Sequence, residues 1–304
     1  MLHRARDVPL RGVGTPGRCV ATIGKFDGVH RGHQQLVDGV VSRARRLGVA
    51  SAVITFDPHP LAVVRPELAP MLLTSLERRI ELLRDRGVDR VVVLPFTAEV
   101  SRWTPSEFVH RVLGTAVGAV EVHVGENFRF GHRAAGDVGM MSRVGRTQGF
   151  TVRCVPLAGS SARWSSTCVR ELLAECDVEA AADVLGRPHR LVGRVERGRG
   201  DGPRLLAVDA TLALPAGGTY AGTLVGPGGR RLAAEVQIGG ATSPDGRRIE
   251  LRTPVHRTLR MNGEAIAFDV TRCLRIEPDR HSTPRPHTDR PDDQRRPKST
   301  QATV

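Results

Sequence analysis

Five short and almost uninterrupted apolar runs, each followed by a longer amphipathic stretch, restrict much of this chain to one kind of architecture. The runs are Cys19–Ile23, Ala50–Thr55, Arg90–Leu94, Glu121–Val124 and Thr151–Val155. Runs without polar alternation suit strands covered on both faces, the pattern of a parallel sheet. Helical periodicity fills the gaps at 31–47, 74–87, 104–113 and 137–148. Thr74 and Thr104 are suitable N-caps, and Pro105 stands where a first helical residue would. Strand and helix in alternation predict right-handed βαβ units and an α/β fold with a doubly wound sheet.

After Gly186 the texture changes. Leu205–Leu214, Thr219–Leu224, Arg231–Ile238 and Ile249–Arg252 are short alternating runs, divided by Gly217-Gly218, Pro227-Gly228-Gly229 and Asp245-Gly246. Such spacing predicts a small antiparallel barrel or sandwich without helices. From about Pro278 the chain is rich in Pro, Arg, Asp, Ser and Thr, a composition that cannot bury a core, so a disordered tail is expected. The resulting division is an N-terminal segment 1–17, an α/β domain 18–187, a β domain 188–277 and a tail 278–304.

A formal charge of +13 raises nucleic acid as a partner, but the arginines are spread along the chain and aromatic residues are only 4%. Anionic phosphorylated ligands account for the same charge. No apolar run approaches the roughly 18 residues that cross a bilayer, and Met1–Pro9 has no apolar segment. No membrane partner and no secretory leader are therefore expected. Cys19, Cys154, Cys168, Cys176 and Cys273 are scattered, without CxxC or His-rich spacing. A reducing cytoplasm is the expected location, and neither a disulfide framework nor structural zinc is expected. The oligomeric state is not legible.

Two motifs carry chemistry. Gly24-Lys25-Phe26-Asp27-Gly28-Val29-His30-Arg31-Gly32-His33 follows the first strand and opens the first helix. A glycine-bearing turn there offers backbone N–H groups and a positive helix end to phosphates. His30 and His33, three apart on the first turn, project to one side, and Gly32 removes the side chain that would block a nucleotide. Zinc has no third ligand at suitable spacing. The second motif, Trp164-Ser165-Ser166-Thr167-Cys168-Val169-Arg170, opens a helix after the fifth strand. Ser165 or Ser166 can cap that helix, and Arg170 adds a guanidinium fork for phosphate oxygens. Both turns fall at the carboxyl edge of the sheet, where open α/β folds bind ligands.

Together the motifs resemble the HxGH nucleotidylyltransferase superfamily, Rossmann-like in fold, whose second signature is a Ser-Ser-Thr-x-x-Arg helix start. More narrowly, Thr22–Gln34 is similar to the prokaryotic FAD synthetase family, bifunctional riboflavin kinase/FMN adenylyltransferases. Thr55-Phe56-Asp57-Pro58-His59-Pro60 and Val124-Gly125-Glu126-Asn127-Phe128-Arg129-Phe130-Gly131 support the narrower resemblance, which continues through Leu185-Gly186-Arg187-Pro188-His189. It implies transfer of AMP from ATP to FMN, giving FAD and pyrophosphate. It further implies that His30, His33 and Arg170 are catalytic. Gly24, Phe26, Asp27, Gly32, Ser165, Ser166 and Thr167 would bind ATP, and Phe56, Pro58, Asn127, Phe128 and Arg129 would bind FMN. Mg²⁺ would neutralise the leaving pyrophosphate, held mainly by ATP phosphates rather than by protein ligands.

The second domain departs from the resemblance, which implies a riboflavin kinase β-barrel. The family's Gly-x-Pro-Thr-Ala-Asn segment aligns with Leu206-Ala207-Val208-Asp209-Ala210-Thr211, so the proline is gone, Asp209 replaces Thr and Thr211 replaces Asn. Glu250 falls where a catalytic base is expected. A barrel retained as scaffold, with its kinase chemistry lost, is the expectation; a bifunctional enzyme is the alternative. Adenylyl or cytidylyl transfer to a nicotinamide or pantetheine phosphate, and a flavin- or nucleotide-binding regulator without catalysis, are further alternatives. The flavin-side segments argue against the first, and the intact His30, His33 and Arg170 argue against the second.

Overall fold

The structure is a computed structural model that describes residues 17–156, 164–196, 204–239, 248–252 and 263–276. The tail and the Asp245-Gly246 turn lie outside them. The apolar runs form strands β1 (Cys19–Ile23), β2 (Ala50–Asp57), β3 (Arg90–Pro95), β4 (Ala119–Gly125) and β5 (Thr151–Val155). They pair in parallel in the order β3-β2-β1-β4-β5. The chain leaves β1 toward β2 and β3, then crosses to β4 on the other side. The carboxyl ends of β1 and β4 therefore flank the reversal point at which such sheets hold ligands.

Helices cover both faces. Helix α1 (Arg31–Leu47) ends at Gly48, which adopts φ +64° and turns its N–H back to Ala44 and Arg45. After the single turn α2 (Pro60–Val64), α3 (Leu76–Asp85) joins α1 on one face, where Val37, Val41, Leu82 and Leu83 pack on Val53 and Val91. The other face carries α4 (Pro105–Phe108), a π-helical stretch Val109–Ala116 and α5 (Val138–Gln148). Val109, Leu113 and Met141 bury there against Ile54, Val92 and Val122. Thr104 does cap α4 in a capping box with Glu107. The N-cap at the next expected site is Ser75, one residue beyond Thr74.

Two further expectations need correcting. Strand β5 is not covered on both faces: Thr151, Arg153 and Cys154 are exposed, whereas Val91–Leu94 of β3 at the opposite edge of the sheet are buried. The run Leu205–Leu214 is not one strand. Only β7 (Arg204–Val208) is extended; Asp209 then accepts from the backbone of Thr211 at 2.7 Å and turns the chain.

The second half contains α6 (Ser166–Ala174), α7 (Val178–Leu185), β6 (His189–Glu196), β8 (Gly218–Val225), β9 (Arg231–Ile238), β10 (Arg248–Leu251) and β11 (Ala265–Ile276). The strands β6 to β11 close an antiparallel barrel in the order β10-β7-β6-β11-β8-β9. Its core, built on Leu191, Leu206, Tyr220, Val236, Ile249 and Phe268, also takes in Val169 and Leu173 of α6, Ala181 and Leu185 of α7, and Leu73. The helix that carries the second motif is thus rooted in the barrel.

Candidate active site

The turn after β1 is held in a conformation that most side chains avoid. Phe26 (φ +49°), Gly28 (φ +80°) and Val29 (φ +40°) all have positive φ. Such residues persist only where the surroundings over-determine them, and they concentrate at ligand sites. Here the determinants are numerous. Gly24 N–H donates to Ile54 at 3.1 Å, the Thr55 hydroxyl to the Lys25 carbonyl at 2.9 Å, and Gly28 N–H to the Thr74 hydroxyl at 3.2 Å. Arg187 reaches the Gly28 carbonyl at 2.6 Å, and Gln34 bridges the carbonyls of Val29 and Leu185 at 2.8 Å each. At Gly28 a Cβ would also meet Leu73 Cδ1 at 2.8 Å.

His30 is the N-cap of α1, its Nδ1 accepting from the His33 N–H at 3.4 Å. That bond leaves the proton of a neutral His30 on Nε2. The two imidazoles stack with centroids 3.7 Å apart, and Phe26 supports His33 from 5.0 Å. Burial, aided by Arg187, pulls His30 down to about 4. Burial, with the charges of His30, Lys25 and Arg79, holds His33 well below the usual imidazole value. Both rings are therefore neutral near pH 7 before any anion arrives. His33 Nδ1 is buried without a partner among the described residues, a buried polar atom that demands an explanation. At Gly32 a Cβ would stand 3.2 Å from the Trp164 carbonyl and 3.3 Å from the His30 ring.

The second motif docks on the first through Asp27. Ser165 caps α6 by accepting from Cys168 N–H at 3.0 Å, while the Ser166 hydroxyl donates to the Asp27 carbonyl at 2.8 Å. The Asp27 carboxylate is buried; it accepts from Leu73 N–H at 2.9 Å and Thr74 N–H at 3.2 Å, and pairs with Arg170. Burial pushes Asp27 upward against the opposing pull of Arg170 and Arg79. Arg170 also donates from Nε to the Met71 carbonyl at 2.6 Å, so Nη1 is the face it has left for a ligand. Thr167 is exposed at the helix start.

A cavity of about 590 Å³ opens beside this turn. Gly24, Lys25, Phe26 and His33 form one wall; Phe56, Asn127, Phe128 and Arg129 form the other. The aromatic side is built by packing, with Phe96 edge-on to Phe56 and Phe130 stacked on Phe128 at 5.7 Å. Arg129 Nε donates to the Ala134 carbonyl at 3.0 Å. Pro58 is exposed and lies outside the lining; its neighbour His59 lines the cavity, capping α2 through Nδ1, and burial lowers it to about 4.

The model of the FAD synthetase family matches residues 14–168. This chain belongs to that family. It is 44% identical to a bifunctional riboflavin kinase/FMN adenylyltransferase from Pseudomonas fluorescens over 184 residues, 60% of this chain and 58% of the relative. A bifunctional riboflavin kinase/FMN adenylyltransferase from Escherichia coli K12 is 31% identical over 84% of this chain and 81% of its own length. A solved structure described as a macrolide-efflux protein from Streptococcus pneumoniae superposes with a TM-score of 0.76 at 22% identity, covering 93% of this chain and 92% of that one. At that identity the likeness shows the fold alone. No helix among the described residues is long and apolar enough to cross a membrane.

Several residues packed at this site carry little signal in the sequence. Lys25, inside a quoted motif, carried one signal: of 45 basic residues only Lys25 and Lys298 are lysine. Arg79 is buried under the cavity, with Nη1 donating to the Thr55 hydroxyl at 3.2 Å and to the Phe56 carbonyl at 3.0 Å. Arg187, inside the Leu185–His189 stretch, and Thr74, a suitable N-cap by sequence, carry no local sign of their place beside this turn.

The barrel residues are arranged otherwise. Asp209 Oδ1 accepts both the N–H and, at 2.6 Å, the hydroxyl of Thr211, in an exposed turn. Glu250 alternates with the inward-facing Ile249 and Leu251, so it faces out, 3.7 Å from Arg252 Nε. It pairs with Leu205, four residues before Asp209, or roughly 13 Å along the strand at about 3.3 Å per residue. The Thr211 carbonyl instead accepts from Leu72 N–H at 2.7 Å, and the Leu72 carbonyl accepts from Ala213 N–H at 2.7 Å. The barrel thus braces the segment whose next two N–H groups hold Asp27.

Proposed function

We propose that this chain transfers AMP from ATP to FMN. An oxygen of the FMN phosphate attacks the α-phosphorus in line; the new P–O bond forms as the bond to the β-phosphate oxygen breaks, releasing FAD and pyrophosphate. The observation that carries this reading is the single cavity that joins the His33 turn to the Phe56 and Phe128 wall. A nucleotide phosphate and an aromatic acceptor can meet there without a covalent enzyme intermediate, so catalysis reduces to positioning and charge stabilisation.

In this reading Nε2–H of His30 and the open ring nitrogens of His33 face the phosphates. The incoming negative charge raises their affinity for a proton, so two imidazoles neutral in the empty site donate most strongly as charge builds. A phosphate on that side also satisfies the orphaned His33 Nδ1. Gly24, Phe26 and Gly32 leave room for the nucleotide, and Asp27, Ser165 and Ser166 fix the helix start from which Thr167 and Arg170 Nη1 meet the β- and γ-phosphates. Phe56 and Phe128 flank the flavin ring, with Asn127 and Arg129 at its polar edge and Pro58 outside. The described residues gather no group of three or more His, Cys, Asp or Glu able to hold a metal, and Asp27 is already engaged. Mg²⁺ would be held mainly by the ATP phosphates and would neutralise the leaving pyrophosphate. ATP and FMN are the partners of this reading; nucleic acid has no part in it, and the cytoplasm is the expected location.

The barrel, in the same reading, is a scaffold without kinase chemistry, since Asp209 and Thr211 satisfy each other and Glu250 points outward. Incubating the protein with MgATP and either FMN or riboflavin, then separating the flavins by chromatography, tests both parts. FMN should become FAD while riboflavin stays unchanged. Inert FMN defeats the transferase reading; FMN formed from riboflavin defeats the scaffold reading and favours the bifunctional enzyme.

A further inference from the structure

We propose that Lys25 reads the phosphate of the flavin acceptor and is thereby the contact that selects FMN over unphosphorylated flavin. The inference rests on the transferase reading and deepens it. Lys25 lines the same cavity as His33, Phe56 and Phe128, where an acceptor phosphate must sit for its oxygen to approach ATP. Its main chain is fixed by the Thr55 hydroxyl at 2.9 Å. Its ammonium has no hydrogen bond or ion pair to a described residue, and the side chain is exposed at the cavity rim.

The other cations nearby each hold at least one protein partner. Arg170 holds Asp27 and the Met71 carbonyl. Arg79 is buried and supports the Thr55 hydroxyl and the Phe56 carbonyl. Arg129 is tied to the Ala134 carbonyl. Asp27, a buried carboxylate of the same turn, pairs with Arg170 rather than with the lysine. Lys25 differs in that its whole ammonium has no hydrogen bond or ion pair to a described residue, and it lines the cavity.

The residue type agrees with that role. This chain places arginine at nearly every basic position, and Lys25 is one of two exceptions. An ammonium is a compact point charge that can follow a phosphate between ground and transition state, whereas a guanidinium fork demands a fixed planar geometry. Close quarters also tune it: burial among its neighbours, reinforced by Arg170 and opposed by Asp27, draws Lys25 below the usual ammonium value.

The test is Lys25→Met, which keeps the length of the apolar stem and removes no side-chain hydrogen bond to a described residue, compared with wild type in titrations of FMN, riboflavin and ATP. Flavin binding is read by quenching of flavin fluorescence and ATP binding by calorimetry. Loss of one charge-assisted contact predicts FMN binding weaker by roughly ten- to a hundredfold, with ATP binding within about twofold of wild type. Riboflavin should bind both proteins alike, and Lys25→Arg should restore part of the FMN affinity. Unchanged FMN affinity, an equal loss for ATP, or an equal loss for riboflavin would overturn the inference. The wild-type arm separates it from the reading beneath it: if wild type neither binds FMN nor forms FAD, the transferase reading itself has failed.

Discussion

His189 allows the sharpest physical test of this fold. It opens β6, is 2% exposed, and its Nε2 lies 3.0 Å from the Ala213 carbonyl. Burial, partly offset by that carbonyl and aided by Arg187, lowers it to about 4 from the ordinary 6.5. A base whose folded pKa lies below its unfolded value is protonated first in the unfolded chain. Stability is therefore full above pH 6.5, declines as the pH falls below it, and stops declining near 4. The loss attributable to this one ring is about 2 kcal/mol at pH 5 and about 3 kcal/mol at pH 4, relative to pH 7.5. His30, His59 and the carboxylates titrate as well, so the measurement must be a difference. His189→Gln keeps a donor for Ala213 but cannot titrate. Urea unfolding of both proteins, followed by circular dichroism between pH 7.5 and 5, should show the variant gaining about 2 kcal/mol on wild type across that interval, whatever its offset at pH 7.5. Curves that stay parallel would refute the argument, since a buried neutral imidazole must impose this slope.

Three further outcomes follow from the site. His30→Ala and His33→Ala should each lower kcat on the order of 10²–10³-fold while FMN binding is little changed; turnover at wild-type level in both would remove the pair from catalysis. Asp27→Ala leaves Arg170 and two buried N–H groups without their acceptor, and chemical denaturation should record a loss of about 3–5 kcal/mol; a loss below 1 kcal/mol would mean that the docking of α6 on the turn does not depend on this carboxylate. Gly32→Ala should fold as well as wild type, because alanine is the better helix former by roughly 1 kcal/mol, yet steady-state kinetics should show reduced turnover, as the new Cβ presses on the His30 ring and the Trp164 carbonyl; full activity would show that the close approach at Gly32 is unnecessary.

Much of this protein was determined locally. The limits of β1 and α1 are as the apolar run and helical periodicity place them, because a parallel strand buried on both faces and an amphipathic helix each impose a period that sequence carries directly. The phosphate turn was legible for the same reason: glycines and histidines at fixed offsets after a strand leave few alternatives. What sequence could not decide was which side chains are free once the chain has folded. Arg170 reads as a phosphate ligand, but the fold sets most of its guanidinium on Asp27 and Met71, while Lys25 keeps an open ammonium in the cavity. Glu250 reads as a base, but barrel closure turns it outward. The barrel's tie to the active site, through Leu72 and Thr211–Ala213, has no sequence signature because backbone hydrogen bonds are blind to residue type. Local pattern determines which elements form and which chemistry is available; only the tertiary packing, by deciding who pairs with whom and which faces lose water, selects the groups left to meet a ligand.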